Sequence, residues 1–404
     1  MGLSEADTRA KLIDPAIHQR GWKEDFIRRE ETAGTIEIGE NGPRRRPKGR
    51  VDYILRIKVA IDTQPVAIAL LEAKADTLPP GHGLEQVKLY ATCKRLNVPF
   101  VFSSNGYQFV EFDRFTGKTT KPQQMSAFPV PEELRARYES AMGFKLDSES
   151  AKPLLTRYPG GEATRRYYQD AAIRAVLEKI AAGGNRALLS LATGAGKTFI
   201  AVNLLKRIAD AGQLRRALFL CDRDELRSQG ISAFQNVFGS DAAAVSCDNP
   251  QKNARIIVAT YQTLDVASDD SNANFLLDNY PENYFSHIII DECHRSAWGK
   301  WSQVLTRNQN AVQIGLTATP RKLHVTEKSK EAQADEQVSA DNIRWFGEPV
   351  YEYDMAQGIE DGYLAACELQ CFDLFLDNKN ANERESGVSR DDLDSKTLID
   401  ATTG

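Results

Sequence analysis

The sequence predicts an α/β protein in which a compact unit with β-hairpins precedes a doubly wound parallel sheet. After residue 163, short apolar segments alternate with helical segments, which is typical of a parallel sheet covered on both faces. Upstream, strand-like segments occur as pairs separated by turn residues. The 404 residues, with 42% hydrophobic and 26% charged residues, have the composition of a folded chain of two or three domains.

The composition excludes several other classes. The six cysteines are scattered without CxxC spacing, so we expect reduced thiols rather than a disulfide or zinc framework. No run of about 18 apolar residues exists, and the N-terminus is charged where a signal peptide is apolar. We therefore expect a cytoplasmic protein with no membrane association. The net charge of −5 does not by itself indicate a nucleic-acid binder.

The first unit, residues 1–125, has a mixed order of elements. Apolar spacing predicts a helix from Ser4 to Gly21, with Asp14-Pro15 as the point where it could break. A further helix is predicted at residues 84–95. Strands are predicted at residues 51–57, 66–71, 100–103 and 107–112, the last two around Asn105-Gly106.

Residues 126–163 are rich in proline and glycine and predict a linker with one helical piece at residues 132–141. The second unit, residues 164–348, contains a clear helix at residues 198–211. Its strands are predicted at residues 187–191, 217–221, 256–259, 287–290 and 312–316. Residues 349–404 predict the start of a third unit.

A glycine-rich turn separates the first of these strands from the amphipathic helix, which is the context of a phosphate-binding loop. Its glycines let successive N–H groups turn toward phosphate oxygens, its lysine reaches the terminal phosphates, and its last hydroxyl binds Mg²⁺. Leu191 stands where the strict pattern has glycine. The predicted ATP-binding residues here are Thr193, Gly194, Ala195, Gly196, Lys197 and Thr198.

Two carboxylates, Asp291 and Glu292, follow the apolar strand at residues 287–290. Ligands of open α/β sheets bind at the carboxyl ends of the strands. We expect Asp291 to hold Mg²⁺ and Glu292 to be the catalytic residue that orients or deprotonates the attacking water. With the upstream loop, the two halves of one Mg-ATP site are present.

Together these motifs resemble a helicase superfamily two motor, a family of ATP-driven nucleic-acid translocases. The resemblance implies that Gln169 reads adenine and that His294 belongs to the ATP site. It also implies RecA-like domains, of which the first is complete and the second breaks off early, so that hydrolysis by the isolated chain would be weak. Hydroxyls after neighbouring strands match the motifs that contact the DNA backbone or couple hydrolysis to movement, namely Thr260, Thr317 and Thr319.

Upstream, Asp52 lies in the strand at residues 51–57, and Glu72 and Lys74 follow the next strand. An antiparallel pair would bring the three side chains to one end. Asp52 and Glu72 would then bind Mg²⁺, while Lys74 would position and activate water. The arrangement resembles the PD-(D/E)xK nuclease fold, with Val51 where the name of the fold has proline.

Gln86 and Tyr90 follow as a Q-x-x-x-Y pattern that looks like one in the restriction (motor) subunit of type I restriction-modification systems. The early segment at residues 4–9 and the Ser104-Asn105-Gly106 turn are also similar to that family. An acidic residue of the first helix would join the nuclease site, and Glu5 and Asp7 both remain open. The resemblance implies ATP-driven translocation on double-stranded DNA and Mg-dependent cleavage, with modification (methyltransferase) and specificity subunits as partners.

Two other functions remain open. A standalone helicase-nuclease of DNA repair or defence would have the same two sites without needing partner subunits. A nucleotide-binding interaction module without nuclease activity would gain support if Asp52, Glu72 and Lys74 lay far apart.

Overall fold

The computed structural model describes residues 2–32, 36–39, 42–45, 50–158, 166–221, 224–246, 248–260, 263–264, 275–291, 293, 304–318, 342–365, 373–375 and 387–389. Its strands are β1 (Ile27–Thr32), β2 (Ile36–Gly39), β3 (Gly42–Arg45), β4 (Arg50–Ile57), β5 (Val66–Ala73), β6 (Phe100–Ser104), β7 (Gln108–Asp113), β8 (Lys118–Thr119), β9 (Gln123–Gln124), β10 (Arg186–Leu191), β11 (Ala217–Cys221), β12 (Ala242–Ala244), β13 (Ile256–Thr260), β14 (His287–Ile290), β15 (Val312–Thr317), β16 (Tyr351–Tyr353), β17 (Asp373–Phe375) and β18 (Gly387–Ser389). Its α-helices include α1 (Glu5–Thr8), α2 (Asp14–Gln19), α3 (Leu84–Tyr90), α4 (Pro131–Met142), α5 (Lys152–Leu155), α6 (Tyr167–Ala181), α7 (Lys197–Asp210), α8 (Asp224–Phe238), α9 (Phe275–Asn279) and α10 (Met355–Glu360).

The first helical segment does not break at Pro15. A π-helical turn, Arg9–Ile13, joins α1 to α2, and the N–H of Asp14 donates to the carbonyl of Arg9. In a regular helix the ring of Pro15 would clash with the carbonyl four residues earlier, and its missing N–H would leave that carbonyl unpaired. The wider π turn removes both problems, so the helix continues to Gln19.

The first sheet is mixed and has the order β1-β4-β5-β6-β7-β8, with β9 also paired to β7. The strand β4 is antiparallel to β5, as the sequence predicts, while β5 and β6 are parallel and joined by a crossover that contains α3. Nearly every residue of β5 is buried, which agrees with its continuous apolar sequence. The central position of β5 places its carboxyl end, at Glu72 and Ala73, beside β4 and β6.

The turn between β6 and β7 anchors the first helical segment on this sheet. Gly106 has φ +89°, and a Cβ there would lie 2.7 Å from the Cβ of Leu12. Asn105 stabilises the turn because its Oδ1 accepts hydrogen bonds from the N–H groups of Tyr107 and Gln108. Glycine is therefore required for the close approach that brings α1 to the edge of the sheet.

The second sheet has seven strands in the order β12-β13-β11-β14-β15-β10-β16, and all its pairs are parallel. The predicted strands between residues 187 and 316 are confirmed within one or two residues of their ends. Their side chains are almost completely buried, as expected when helices cover both faces. This parallel α/β arrangement is consistent with a RecA-like domain.

The strand β16 belongs to this second sheet. Tyr351 pairs with Leu189 of β10, and the N–H of Ala192 donates to the carbonyl of Tyr353 at 2.8 Å. The sequence placed residues 349 onward in a following unit, because a three-residue strand has too little periodicity to show which sheet it joins. The structure corrects that assignment, since β16 extends the sheet that begins with the glycine-rich loop.

The segment predicted as a linker is packed over most of its length. Leu134 and Tyr138 of α4 are buried, and the hydroxyl of Tyr138 donates to Glu178 on α6 at 2.7 Å. Arg207 on α7 donates to the carbonyls of Pro153 and Leu154. One hydrophobic cluster accordingly includes side chains from both sheets. Residues 159–165 lie outside the described part.

Met1–Leu364 form one compact unit and Ala365–Gly404 a second. In the second unit, β17 and β18 pair in parallel. Among the described residues, no helix combines the length and the apolar character needed to cross a membrane.

Candidate functional site

The antiparallel pairing of β4 and β5 brings Asp52 beside Glu72. The register aligns Tyr53 with Leu71, so Asp52, one residue before Tyr53, lies opposite Glu72, one residue after Leu71. The Oδ2 atom of Asp52 accepts a hydrogen bond from the N–H of Ala73 at 2.8 Å. Two carboxylates that are 20 positions apart in the sequence therefore meet at one sheet edge.

Lys74 completes this group, and its contacts show which acidic residue of the first helix lies at the site. Its Nζ lies 2.9 Å from Oε1 of Glu72 and 3.3 Å from Oε1 of Glu5. Asp7 instead pairs with Lys11 at 2.7 Å on the exposed side of the helix. The structure thus brings Glu5, and not Asp7, to the site. We call Glu5, Asp52, Glu72 and Lys74 the carboxylate cluster.

Burial is the main cause that raises the pKa values of the two strand carboxylates. Burial, followed by the negative charge of Asp52, raises the pKa of Glu72 to about 7. Burial is also the main cause of the raised pKa of Asp52, although the hydrogen bond from Ala73 opposes it. Burial lowers the pKa of Lys74, but the charges of Glu72 and Glu5 outweigh this effect and raise it overall. The Nζ atom of Lys74 thus lies between the carboxylates of Glu72 and Glu5.

One buried carboxylate oxygen of the cluster is available as a ligand for a divalent cation. The Oε2 atom of Glu72 is buried and has no hydrogen-bond partner in the described structure, which is costly for an ionised carboxylate. In the described ranges, no three acidic, histidine or cysteine side chains form a complete metal site. Mg²⁺ commonly binds one or two carboxylates and keeps several waters, so Asp52 and Glu72 fit it.

Sequence reasoning missed two residues of this site. Arg9 donates to Oδ1 of Asp52 at 3.0 Å, and it follows Glu5 by four residues, so helical spacing could have indicated it. Gly83 lies against the cluster, because a Cβ there would meet Cε of Lys74 at 2.4 Å and Cγ of Glu72 at 3.0 Å. No local signal identifies Gly83, since it depends on how α3 docks on β5.

Gln86 and Tyr90 lie one turn apart on α3, and their side chains are 3.5 Å apart between Nε2 and the hydroxyl. Gln86 is exposed and Tyr90 half-buried. Neither hydrogen-bonds to the carboxylate cluster among the described residues. Gly83 caps the N-terminus of this helix, so both side chains lie on the element that begins beside Lys74.

The glycine-rich loop, residues 192–198, joins β10 to the N-terminus of α7. Gly194 has φ +81° and Gly196 has φ +86°, both in the left-handed region that favours glycine. Lys197 is buried at the first position of α7. Thr193 is exposed, and Thr198 is half-buried in the first turn of the helix. A loop of this shape directs backbone N–H groups and a helix N-terminus at an anion. We call it the P-loop.

The start of α6 contacts the P-loop through the carbonyl of Ala195. The hydroxyl of Tyr168 donates to this oxygen at 2.8 Å, and Nε2 of Gln169 donates to it at 3.4 Å. The ring of Tyr168 is stacked on Tyr353 with centroids 3.9 Å apart. The structure therefore brings the predicted Gln169 to the loop, and it adds Tyr168, which the sequence did not single out.

The remaining described residues of this site lie at the carboxyl edge of the second sheet. Asp291 is buried directly after β14, and Thr317 ends β15, which lies between β14 and β10. Thr260 ends β13 and its hydroxyl lies 2.8 Å from that of Thr263. Thr317 thus ends the strand next to the P-loop strand β10, and Asp291 follows β14, which is one strand further away. Thr260 lies further along the same edge. Glu292, His294 and Thr319 lie outside the described residues.

Comparison with known proteins agrees with this organisation. Residues 162–322 match the family model of the type III restriction enzyme, res subunit. The endonuclease subunit of the type I restriction enzyme EcoAI from Escherichia coli is 32% identical over 387 residues, which are 93% of this chain and 44% of that protein. The endonuclease subunit of EcoKI from Escherichia coli K12 is 28% identical over 90% of this chain and 35% of its own length.

A solved structure described as a fragment of an HsdR subunit of a type I restriction enzyme from Vibrio vulnificus YJ016 is 31% identical, with a TM-score of 0.68. It covers 90% of this chain, and this chain covers 61% of it. The chain spans less than half the length of either Escherichia coli relative. This chain is a homologue of the endonuclease subunits of type I restriction enzymes and contains a helicase-family domain.

Proposed function

We propose that this chain contributes two activities to a type I restriction enzyme, Mg-dependent cleavage of DNA and ATP-driven translocation on double-stranded DNA. The observation that carries the proposal is the presence of both sites in one compact unit. Asp52, Glu72 and Lys74 meet at the edge of the first sheet, and the P-loop lies at the carboxyl edge of the second.

In the proposed nuclease, Asp52 and Glu72 hold Mg²⁺. The ion supplies charge stabilisation to a phosphodiester and lowers the pKa of bound water. Lys74 stays protonated between Glu72 and Glu5, so it orients water and stabilises developing negative charge. Gln86 and Tyr90 support the site from α3. This is the role expected for residues 1–125 as a PD-(D/E)xK nuclease domain.

In the proposed motor, residues 164–348 form the first RecA-like domain, and a second such domain belongs to the whole subunit. Lys197 binds the terminal phosphates of ATP, Gln169 binds adenine, and Thr198 and Asp291 hold Mg²⁺. Glu292 and His294 act at the phosphates during hydrolysis. Three threonines contact DNA or couple hydrolysis to its movement, namely Thr260, Thr317 and Thr319.

Modification (methyltransferase) and specificity subunits are the proposed partners, and the DNA sequence is read by the specificity subunit. The test measures cleavage of unmethylated plasmid DNA by a subunit that contains this chain and has the full length of its curated relatives. Mg²⁺, ATP and the partner subunits are each present or omitted.

We expect cleavage only with all three additions, and at least about a 1000-fold loss with Lys74→Ala. Lys197→Ala should abolish ATP binding and leave Mg²⁺ binding at the carboxylate cluster. Cleavage that needs neither partners nor unmethylated DNA would favour the standalone helicase-nuclease. Cleavage that is unaffected by Lys74→Ala would remove the proposed nuclease site.

A further inference from the structure

A buried network of charged and aromatic side chains joins the first α/β domain to the P-loop. At its centre is Asp361, which directly follows α10 and whose side chain is fully buried. Oδ1 of Asp361 accepts a hydrogen bond from Arg95, and Oδ2 accepts from the hydroxyls of Tyr167 and Tyr353. Nη1 of Arg95 also lies 3.3 Å from the hydroxyl of Tyr167. The carboxylate of Asp361 thus accepts hydrogen bonds from three parts of the fold, which are the segment after α3, the helix α6 and the strand β16.

Arg95 is the contribution of the first domain to this network. It follows α3, the helix that contains Gln86 and Tyr90 and begins against Lys74. Its backbone is fixed as well, because the hydroxyl of Tyr351 donates to its carbonyl at 2.7 Å. The same short segment therefore contacts the carboxylate cluster at one end and Asp361 at the other.

Tyr353 connects Asp361 to the P-loop. Its hydroxyl donates to Asp361 at 2.9 Å, and its ring is stacked on Tyr168 with an interplanar angle of 13°. The hydroxyl of Tyr168 in turn donates to the carbonyl of Ala195 at 2.8 Å. Because Ala195 lies between the two left-handed glycines of the P-loop, the position of this carbonyl sets the direction of the neighbouring N–H groups.

We propose that Arg95 is a positioning residue for the nucleotide site, which acts through Asp361, Tyr353 and Tyr168 on the P-loop carbonyl of Ala195. This inference rests on the proposed nucleotide-binding function. Loss of Arg95 leaves Asp361 as a buried carboxylate without its cation, so Asp361 must move, recruit water or take up a proton, and each of these changes alters its hydrogen bond with Tyr353. Tyr353 and the stacked ring of Tyr168 move with it. Docking of the first domain thereby controls affinity for ATP, and by linkage ATP binding stabilises that docking.

The test is a double-mutant cycle in the whole 404-residue chain, with the affinity for Mg-ATP measured by calorimetry. Arg95→Met should weaken binding at least about fivefold, which is a typical allosteric coupling. Tyr168→Phe, which removes the hydrogen bond to Ala195 directly, should weaken it at least as much. The variant with both changes should bind as Tyr168→Phe alone does, because Arg95 acts through Tyr168.

Lys94→Met is the matched control. Lys94 neighbours Arg95, but its side chain forms half-exposed ion pairs with Asp354 at 3.4 Å and Glu352 at 3.8 Å and does not contact Asp361, so its loss should leave the affinity unchanged. If Arg95→Met does not fold, Tyr353→Phe provides the same cycle, since it keeps the stacked ring and removes only the hydroxyl bound to Asp361.

Three results overturn the inference. An affinity of Arg95→Met within twofold of the unchanged chain shows that Arg95 does not position the site. Effects that multiply in the variant with both changes show that Arg95 and Tyr168 act independently. A chain that binds no Mg-ATP before any substitution overturns the proposed nucleotide site, and this inference with it.

Discussion

The carboxylate cluster draws its side chains from three separate chain segments, whereas the P-loop consists of seven consecutive residues. Glu5 and Lys74, which are 69 positions apart, meet only because the first helix packs on the sheet. The P-loop takes its shape from its own glycines and from the strand and helix that flank it. The first site is therefore sensitive to packing far from its residues, and the second mainly to local backbone conformation.

The two sites also differ in the charge of the ligand that each could bind. In the carboxylate cluster, burial raises the pKa values of Asp52 and Glu72. The Oε2 atom of Glu72 has no hydrogen-bond partner among the described residues. A bound divalent cation would favour the ionised form of both carboxylates. At the P-loop, the N-terminus of α7 and the side chain of Lys197 contribute positive charge, which favours the binding of an anion. One chain thus contains a site for a cation and a site for a nucleotide phosphate.

The substitution with the largest expected effect should impair DNA cleavage and leave the P-loop unaffected. Glu72→Gln removes a proposed Mg²⁺ ligand and should reduce plasmid cleavage about 1000-fold, because the charge stabilisation by the ion is lost. The affinity for Mg-ATP should not change. Asp7→Asn is the control, since Asp7 forms an exposed ion pair away from the cluster. Cleavage at the unchanged rate in Glu72→Gln would contradict the proposed metal site.

A substitution in the P-loop should give the opposite pattern. Gly196→Ala places a Cβ 2.9 Å from Nε2 of Gln169 at φ +86°, so the loop must distort. We expect the affinity for Mg-ATP, measured by calorimetry, to fall roughly 30-fold, which is about 2 kcal/mol.

Gly212→Ala separates backbone strain from the effect on the site. Gly212 also has a positive φ, +77°, but a Cβ there meets nothing within 4 Å. This variant should lose about 1 kcal/mol of stability and keep its affinity for Mg-ATP. An equal loss of affinity in both variants would show that strain alone, and not the shape of the P-loop, explains the result.

Gly83 tests how much the carboxylate cluster depends on packing. Gly83→Ala should displace Lys74 and reduce cleavage about tenfold, because a misplaced group in a preorganised site loses part of its stabilising effect. Gly81→Ala is the matched control, since its Cβ would make only an ordinary 3.6 Å contact with Val110. Equal cleavage rates in these two variants would show that the close approach of α3 has no functional role.

The smallest effect concerns acid stability of the second sheet. Burial lowers the pKa of His287 to about 4, so between pH 4 and 6.5 the unfolded chain binds more protons than the folded one. The stability contributed by the buried, neutral His287 is complete well above pH 6.5 and declines as the pH falls. Between pH 7 and 6 the loss should be roughly 0.7 kcal/mol.

Urea unfolding at the two pH values measures this loss, and His287→Gln should reduce it. His18→Gln is the control, because His18 is exposed and pairs with Glu24. If the pH dependence of His287→Gln equals that of the unchanged chain, another group is responsible.

Much of the architecture follows from local sequence. The strands that end at the two sites were predicted within two residues, because runs such as those in β5 and β14 are continuously apolar and have turn residues at their ends. The P-loop was predictable for the same reason, since its glycines and Lys197 are adjacent. The continuation of the helix past Pro15 was not predictable, because no local signal indicates the π turn at Arg9–Ile13.

By itself, the sequence determined the strands and helices next to the two sites, the seven residues of the P-loop, and the presence of Asp52, Glu72 and Lys74 near strand ends. Those features depend on neighbours a few residues away, and hydrophobic periodicity encodes them. Only the tertiary structure decided between Glu5 and Asp7, placed Gly83 against Lys74, and joined β16 and Asp361 to the P-loop. These contacts link residues far apart in the chain, so their existence depends on the packing of whole elements and not on any local pattern.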